Sequence, residues 1–123
     1  MTLYAICPLS ALPSRQPRSF VLLRRDAEGQ PRPWPIVVIR WGKHLLGYEN
    51  RCPHAGTNLD WERGQFLDSS GTRLQCGKHG ALFDLASGAC IDGPCVGAAL
   101  TPVALVIDED EVCVADVELV EAG

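Results

Sequence analysis

Apolar residues in this chain come in short runs, rich in β-branched residues and separated by Gly, Pro, Asn, Asp and Ser, and none keeps a helical period beyond a turn or two. Leu3–Cys7 reads as a strand closed by Pro8, and Phe20–Arg24 as a second. The stretch Asp26–Pro35, with Gly29 and three prolines, reads as a loop. Ile36–Trp41, the two-residue turn Gly42-Lys43 and His44–Glu49 form a hairpin signal. Gly64–Leu67 and Thr72–Gln75 flank Asp68-Ser69-Ser70-Gly71 as another hairpin. Ala81–Asp84, the turn Ala86-Ser87-Gly88 and the pair Gly93-Pro94 follow. Leu100–Ile107 and Glu111–Val117 close the chain as a hairpin across Asp108–Asp110. Many short strands with regular turns predict an all-β fold, a sandwich or barrel.

A chain of 123 residues is expected to form one domain, residues 1–123, with a core of its own. Its longest apolar stretches, Ile36–Ile39 and Val103–Ile107, fall far short of the ~18 residues of a membrane span. Met1–Ala11 lacks a basic start and is followed closely by Pro13, unlike a signal peptide, so a cytoplasmic location is expected. The six cysteines are then expected as thiols. Cys7 and Cys113 sit in strand-like segments and read as small buried residues, whereas Cys90 and Cys95 bracket Ile-Asp-Gly-Pro, close enough in sequence to bridge. Net charge is −4, but residues 1–51 hold eight Lys/Arg against three Asp/Glu and residues 52–123 hold three against twelve. The run Asp108-Glu109-Asp110-Glu111 reads first as a solvated turn and second as a patch that steers docking. Nucleic acid is a poor match for such a chain.

Two stretches carry chemistry: Cys52-Pro53-His54-Ala55-Gly56 and Cys76-Gly77-Lys78-His79-Gly80. Each offers one thiol and one imidazole, and together they make a four-ligand set. Rieske [2Fe–2S] centres use two Cys on one iron and two His on the other. A tetrahedral zinc also accepts Cys₂His₂, but zinc-finger spacing pairs like with like. Here unlike is paired with unlike, with twenty-one residues between His54 and Cys76, which suits a two-iron centre held between two loops better than a zinc-capped turn. Gly56, Gly77 and Gly80 adjoin the ligands, where a bulky cluster needs close backbone approach and amides aimed at sulfur.

Through Cys52-x-His54 with Pro53 and Gly56, Cys76-x-x-His79-Gly80, Phe83-Asp84, Gly88 and Gly93-Pro94, the chain from about Leu3 to Val117 resembles the Rieske ferredoxins. The resemblance implies antiparallel sheets as a base, and a cluster-binding subdomain of two ligand hairpins over roughly residues 50–94. It implies one [2Fe–2S] cluster ligated by Cys52, His54, Cys76 and His79, with Gly93-Pro94 covering it from a third side. Membrane-anchored members of the family carry a spanning helix ahead of the cluster domain, and no such helix is expected here. The function implied is that of a one-electron carrier without a substrate, passing electrons from a flavin reductase to an oxygenase, in the manner of aromatic-ring-hydroxylating dioxygenase systems. Electrons would enter and leave through His54 and His79. Competing readings are the small Rieske subunit of a nitrite-reductase-like complex, a zinc-stabilised interaction module and a redox sensor. Direct oxygen activation at a two-His, one-carboxylate iron is excluded by ligand count, because only His44 remains and it reads as a surface or satisfied histidine. Trp34 and Trp41 read as packing residues and Trp61 as packing under the ligand loop.

Departures from the family's high-potential pattern set an expectation for the potential. That pattern places a disulfide-forming Cys in each ligand loop, where this chain has Thr57 and Lys78, and hydroxyl donors where this chain has Ala81 and Phe83. An oxidised cluster with two thiolates and two imidazoles is neutral and becomes −1 on reduction, so each donor lost lowers the potential. Two net hydrogen bonds of about 1 kcal/mol each correspond to on the order of 100 mV for one electron. Protein-film voltammetry is expected to give a midpoint in the lower part of the Rieske range of about −150 to +300 mV, and a value above roughly +150 mV would contradict the argument.

Overall fold

The computed structural model describes residues 3–41, 44–51, 53, 59, 66–68, 70–76, 81–93 and 96–115. Nine strands are found among them, β1 (Leu3–Pro8), β2 (Arg18–Arg25), β3 (Pro31–Trp41), β4 (His44–Glu49), β5 (Arg73–Gln75), β6 (Leu82–Asp84), β7 (Cys90–Asp92), β8 (Leu105–Asp108) and β9 (Glu111–Ala115), with one 3-10 turn at Leu9–Ala11. They form three antiparallel three-stranded sheets in the orders β1-β9-β8, β2-β3-β4 and β5-β6-β7. The all-β architecture expected from the patterning and the antiparallel sheets implied by the resemblance are therefore present. Among the described residues no helix is long and apolar enough to cross a membrane.

Strand β3 is the wall between two cores. Side chains alternate across a strand, and here both faces are covered: Val37 and Ile39 join one apolar cluster with Leu59, Phe66, Leu74, Cys76, Ala81, Phe83 and Cys90. Ile36 and Val38 join the other, with Leu12, Trp34, Val103, Val112 and Val114. All four β3 aliphatics are inaccessible to solvent. Burial on both sides explains why the run Ile-Val-Val-Ile shows no alternation of apolar and polar residues. Trp34 is the packing residue expected, and its indole Nε1 donates to Glu49 Oε1 at 3.0 Å while the Arg24 guanidinium stacks 4.6 Å from its ring centre.

The reading of Asp26–Pro35 as a loop is corrected by the structure, because Pro31–Pro35 belong to β3 and pair with β2 from Arg25↔Pro31 to Val21↔Pro35. Prolines at alternate positions all present their missing N–H to one side. The Pro35 carbonyl, facing away from β2, accepts from Asn50 N at 2.9 Å, so the absent donors face away from the β2 ladder and cost it nothing. The true turn is shorter: Asp26 Oδ1 accepts from Glu28 N and Gln30 N, and Arg32 Nε donates to Oδ2. The Gln30 amide first, then the Arg32 side chain, hold the Asp26 carboxyl below its ordinary range.

Trp41↔His44 pairing fits the expected two-residue connection, though Gly42 and Lys43 lie outside the described residues. The closing hairpin is shorter than expected. Leu100–Ala104 run instead beside β4, through Glu49 N to Thr101 O and Val103 N to Gly47 O, both 2.8 Å, and so join the β2-β3-β4 sheet to the chain entering β8. Glu109 and Asp110 turn it with φ of 48° and 64°. Cys113 is buried and Cys7 half-buried in that sheet, and burial, followed by the Glu111 charge for Cys7 and the Asp108 and Glu111 charges for Cys113, pushes both thiols up.

Gly88 has φ +74°, and a Cβ there would lie 2.7 Å from the Tyr48 ring, whose hydroxyl donates to Leu85 O. Gly29 has φ +77° with open space around it. Gly88→Ala is expected to cost about 2–5 kcal/mol from left-handed strain and overpacking, and Gly29→Ala only about 1–2 kcal/mol from strain, read as the ordering of urea midpoints.

Candidate metal centre

Pairing of β5 with β6 fixes where the second motif sits. Gln75 pairs with Leu82, Cys76 N donates to Ala81 O at 2.9 Å, and Gln75 N donates to Phe66 O at 2.8 Å. Residues 77–80 therefore form the connection between two paired strands. Cys76 and Ala81, at its two feet, are both wholly buried. Of the four expected ligands only Cys76 is among the described residues; Cys52, His54 and His79 lie outside them, as do Thr57, Lys78 and Trp61.

The first motif is bounded in the same way. Asn50 follows β4 and is 3% exposed, the one buried polar side chain among the described residues. Its Oδ1 accepts from Leu59 N at 2.8 Å, and Leu59 is wholly buried. Asn50 before the motif and Leu59 after it are thus both buried, with Arg51 and Pro53 exposed. Leu59, Cys76 and Ala81 belong to one apolar cluster, so both motifs are rooted in the same packed unit.

A third segment presses on these feet. Strand β7, which the patterning did not announce, pairs Phe83 with Cys90 and leads to Gly93. Gly93 has φ +100°, and a Cβ on it would meet Ala81 Cα at 2.8 Å and Ala81 Cβ at 3.2 Å. Gly93 N donates to Asp92 Oδ1, and the Cys90 thiol donates to Asp92 O at 3.3 Å. Gly93 was legible from its Gly-Pro pair; Asn50 carried no signal, because its importance lies in its burial. Pro94 and Cys95 lie outside the described residues, and with them the question of a Cys90–Cys95 bridge.

The residues present fit a sulfur-bound cluster. Cys76, the one expected ligand among the described residues, offers its sulfur in apolar surroundings, where the charge of a metal-bound thiolate would be balanced by the cation. Ala81 and Phe83, the positions expected to lack hydroxyl donors, are fully enclosed. His44 is exposed and lines a separate cavity of about 410 Å³ with Trp41, Leu45, Leu46 and Asp84, which does not include Cys76. Among the described residues, no three His, Cys, Asp or Glu side chains meet in a way that could hold a metal ion.

Comparison with known proteins agrees with the fold. The family model of the Rieske [2Fe-2S] domain matches residues 2–115, and the chain belongs to that family. It is a Rieske protein, and the cofactor of its domain is one [2Fe–2S] cluster. The zinc alternative loses its support. No curated protein matches the chain. Among solved structures, the chain is similar to the ferredoxin of carbazole 1,9a-dioxygenase from Nocardioides aromaticivorans IC177, with 24% identity, a TM-score of 0.70 and coverage of 94% of this chain and 98% of that one. It is similar to a chain in a complex of reduced oxygenase and oxidised ferredoxin of carbazole 1,9a-dioxygenase, with 25% identity, a TM-score of 0.67 and 97% coverage of both chains. The terminal oxygenase of carbazole 1,9a-dioxygenase from Novosphingobium sp. KA1 also matches, with 18% identity and a TM-score of 0.71, over 91% of this chain but 29% of that one.

Gly93→Ala tests the third segment. The added methyl meets backbone rather than a movable side chain, so we expect a loss of about 2–5 kcal/mol in stability together with a changed visible circular dichroism of the holoprotein. An unchanged visible spectrum would show that this segment does not bear on the cluster.

Proposed function

We propose that this protein is a one-electron carrier that takes electrons from a flavin-dependent reductase and delivers them to a terminal oxygenase, of the aromatic-ring-hydroxylating type. In this reading Cys52 and Cys76 hold one iron, and His54 and His79 hold the other. The group would store one electron per cycle. The observation that carries the proposal is the Rieske family model over residues 2–115 together with the likeness, over 94% of this chain, to a ferredoxin of a dioxygenase system. The common footing of both motifs in one apolar cluster supports the ligand assignment.

A carrier also needs a face that releases its partner. Ile91 and Val96, on either side of Gly93 in sequence, are 44% and 65% exposed, and Asp92 is exposed beside Ile91. Exposed apolar residues with a neighbouring acidic group suit brief docking, in which charge sets the encounter rate and the apolar contact stays limited. The acidic balance of residues 52–123 favours partners with basic docking faces.

The test joins spectroscopy to kinetics. Pulsed electron paramagnetic resonance of the dithionite-reduced protein should show two imidazole nitrogen couplings, one lost in His54→Cys and one in His79→Cys. The reduced protein should then be reoxidised by a ring-hydroxylating terminal oxygenase in anaerobic stopped flow, more slowly as salt rises. Absence of nitrogen coupling overturns the ligand set. Isolation as a stoichiometric subunit of a siroheme reductase, with no transfer to an oxygenase, overturns the carrier role.

A further inference from the structure

We propose that Asn50 is the positioning residue of the first ligand loop, a clasp whose Oδ1 accepts from Leu59 N and thereby fixes the span that carries Cys52 and His54. The inference rests on those two residues being ligands. It starts from a side chain that costs free energy to bury: a polar amide 3% exposed, at the margin of an apolar cluster, persists only where its hydrogen bonds replace those of water. Its bond to Leu59 is 2.8 Å long and spans nine positions in sequence.

Both ends of the clasp are themselves fixed. Asn50 N donates to the Pro35 carbonyl of β3 at 2.9 Å, and Arg51 N donates to Glu49 O at 2.8 Å, so the residue is tied to the end of the hairpin. Leu59 is anchored by its wholly buried side chain among Cys76, Ala81 and Phe83. The feet of the second motif are joined by a main-chain bond, Cys76 N to Ala81 O, because β5 and β6 bring them together. Among the described residues no strand pairing joins the feet of the first motif, and a side chain supplies the link instead. Without it the Leu59 N–H would be buried without this acceptor, and the ends of the span from Asn50 to Leu59 would lose the bond that ties them.

Asparagine also suits the place by charge. A carboxylate would make the same bond but would add a buried negative charge two residues from a thiolate ligand, while the amide adds none. Asn50 therefore acts through the ligands rather than on the iron, as outer-shell groups of metal sites do.

The holoprotein tests this. Asn50→Leu and Asn50→Ala remove the acceptor, the second without added bulk. Tyr48→Phe removes another buried side-chain bond, Tyr48 Oη to Leu85 O, from the same cluster without touching the loop feet. Iron release to a chelator is expected to be about 10- to 100-fold faster in the Asn50 variants, with altered g values and a shifted midpoint. Tyr48→Phe, although destabilised in thermal melts, should keep the wild-type spectrum, midpoint and release rate. Asn50→Asp, which retains an acceptor oxygen but adds a buried charge, should show a midpoint below that of the wild type. If Asn50→Leu and Asn50→Ala hold iron as firmly as Tyr48→Phe, the clasp is overturned. Cys52→Ser separates the two layers: it loses the cluster if the ligand assignment is right, whatever Asn50 does, and retains it if that assignment is wrong.

Discussion

The burial of Leu59, Cys76, Ala81 and Phe83 in one apolar cluster is the constraint that gives the site its shape. Each lies beside a motif whose own residues are small or polar, and each surrenders all of its solvent contact. The described residues that flank the two motifs therefore share one packed floor. Main-chain bonding joins the feet of one motif, and a buried amide joins those of the other. Tight packing of this floor also limits how far any of these feet can be displaced, since close-packed interiors resist small volume changes.

Much of this was legible in the residues. The double pairing of one Cys with one His named the cofactor class, because few metal sites call for unlike donors in each of two separated loops. Short β-branched runs broken by Gly and Pro gave the all-β architecture, and β3–β4 in particular followed from a long apolar run, a two-residue gap and a second run. What escaped had physical reasons. Strand β7, Cys90–Asp92, is three residues long and takes its order from β6 rather than from its own composition. Asn50 looks like any polar residue after a strand until its solvent exposure is known. The ligand positions themselves, Cys52, His54 and His79, rest on the sequence motif and on the feet that surround them.

The prolines at 31, 33 and 35 show how a sound local rule can mislead. Proline is normally excluded from strands because it lacks a donor, yet spacing by two places every gap on the side away from β2. Composition alone counts three breakers; position shows that none breaks a bond. Their place in β3 lengthens the sheet and sets Trp34 in the second core, with its indole donating to Glu49 of β4.

Strand β3 is aliphatic on both faces, and that raises the matter of how its alignment is chosen. Sliding it by one residue would exchange Val37 and Ile39 for Ile36 and Val38, leaving the hydrophobicity of both cores almost unchanged, so oiliness by itself cannot distinguish the native alignment from its neighbour. The three imino acids can. A slip of one would turn every missing donor inward and strip the ladder of bonds it cannot replace, so these residues work like the teeth of a key, admitting a single alignment where the aliphatic surface would accept two.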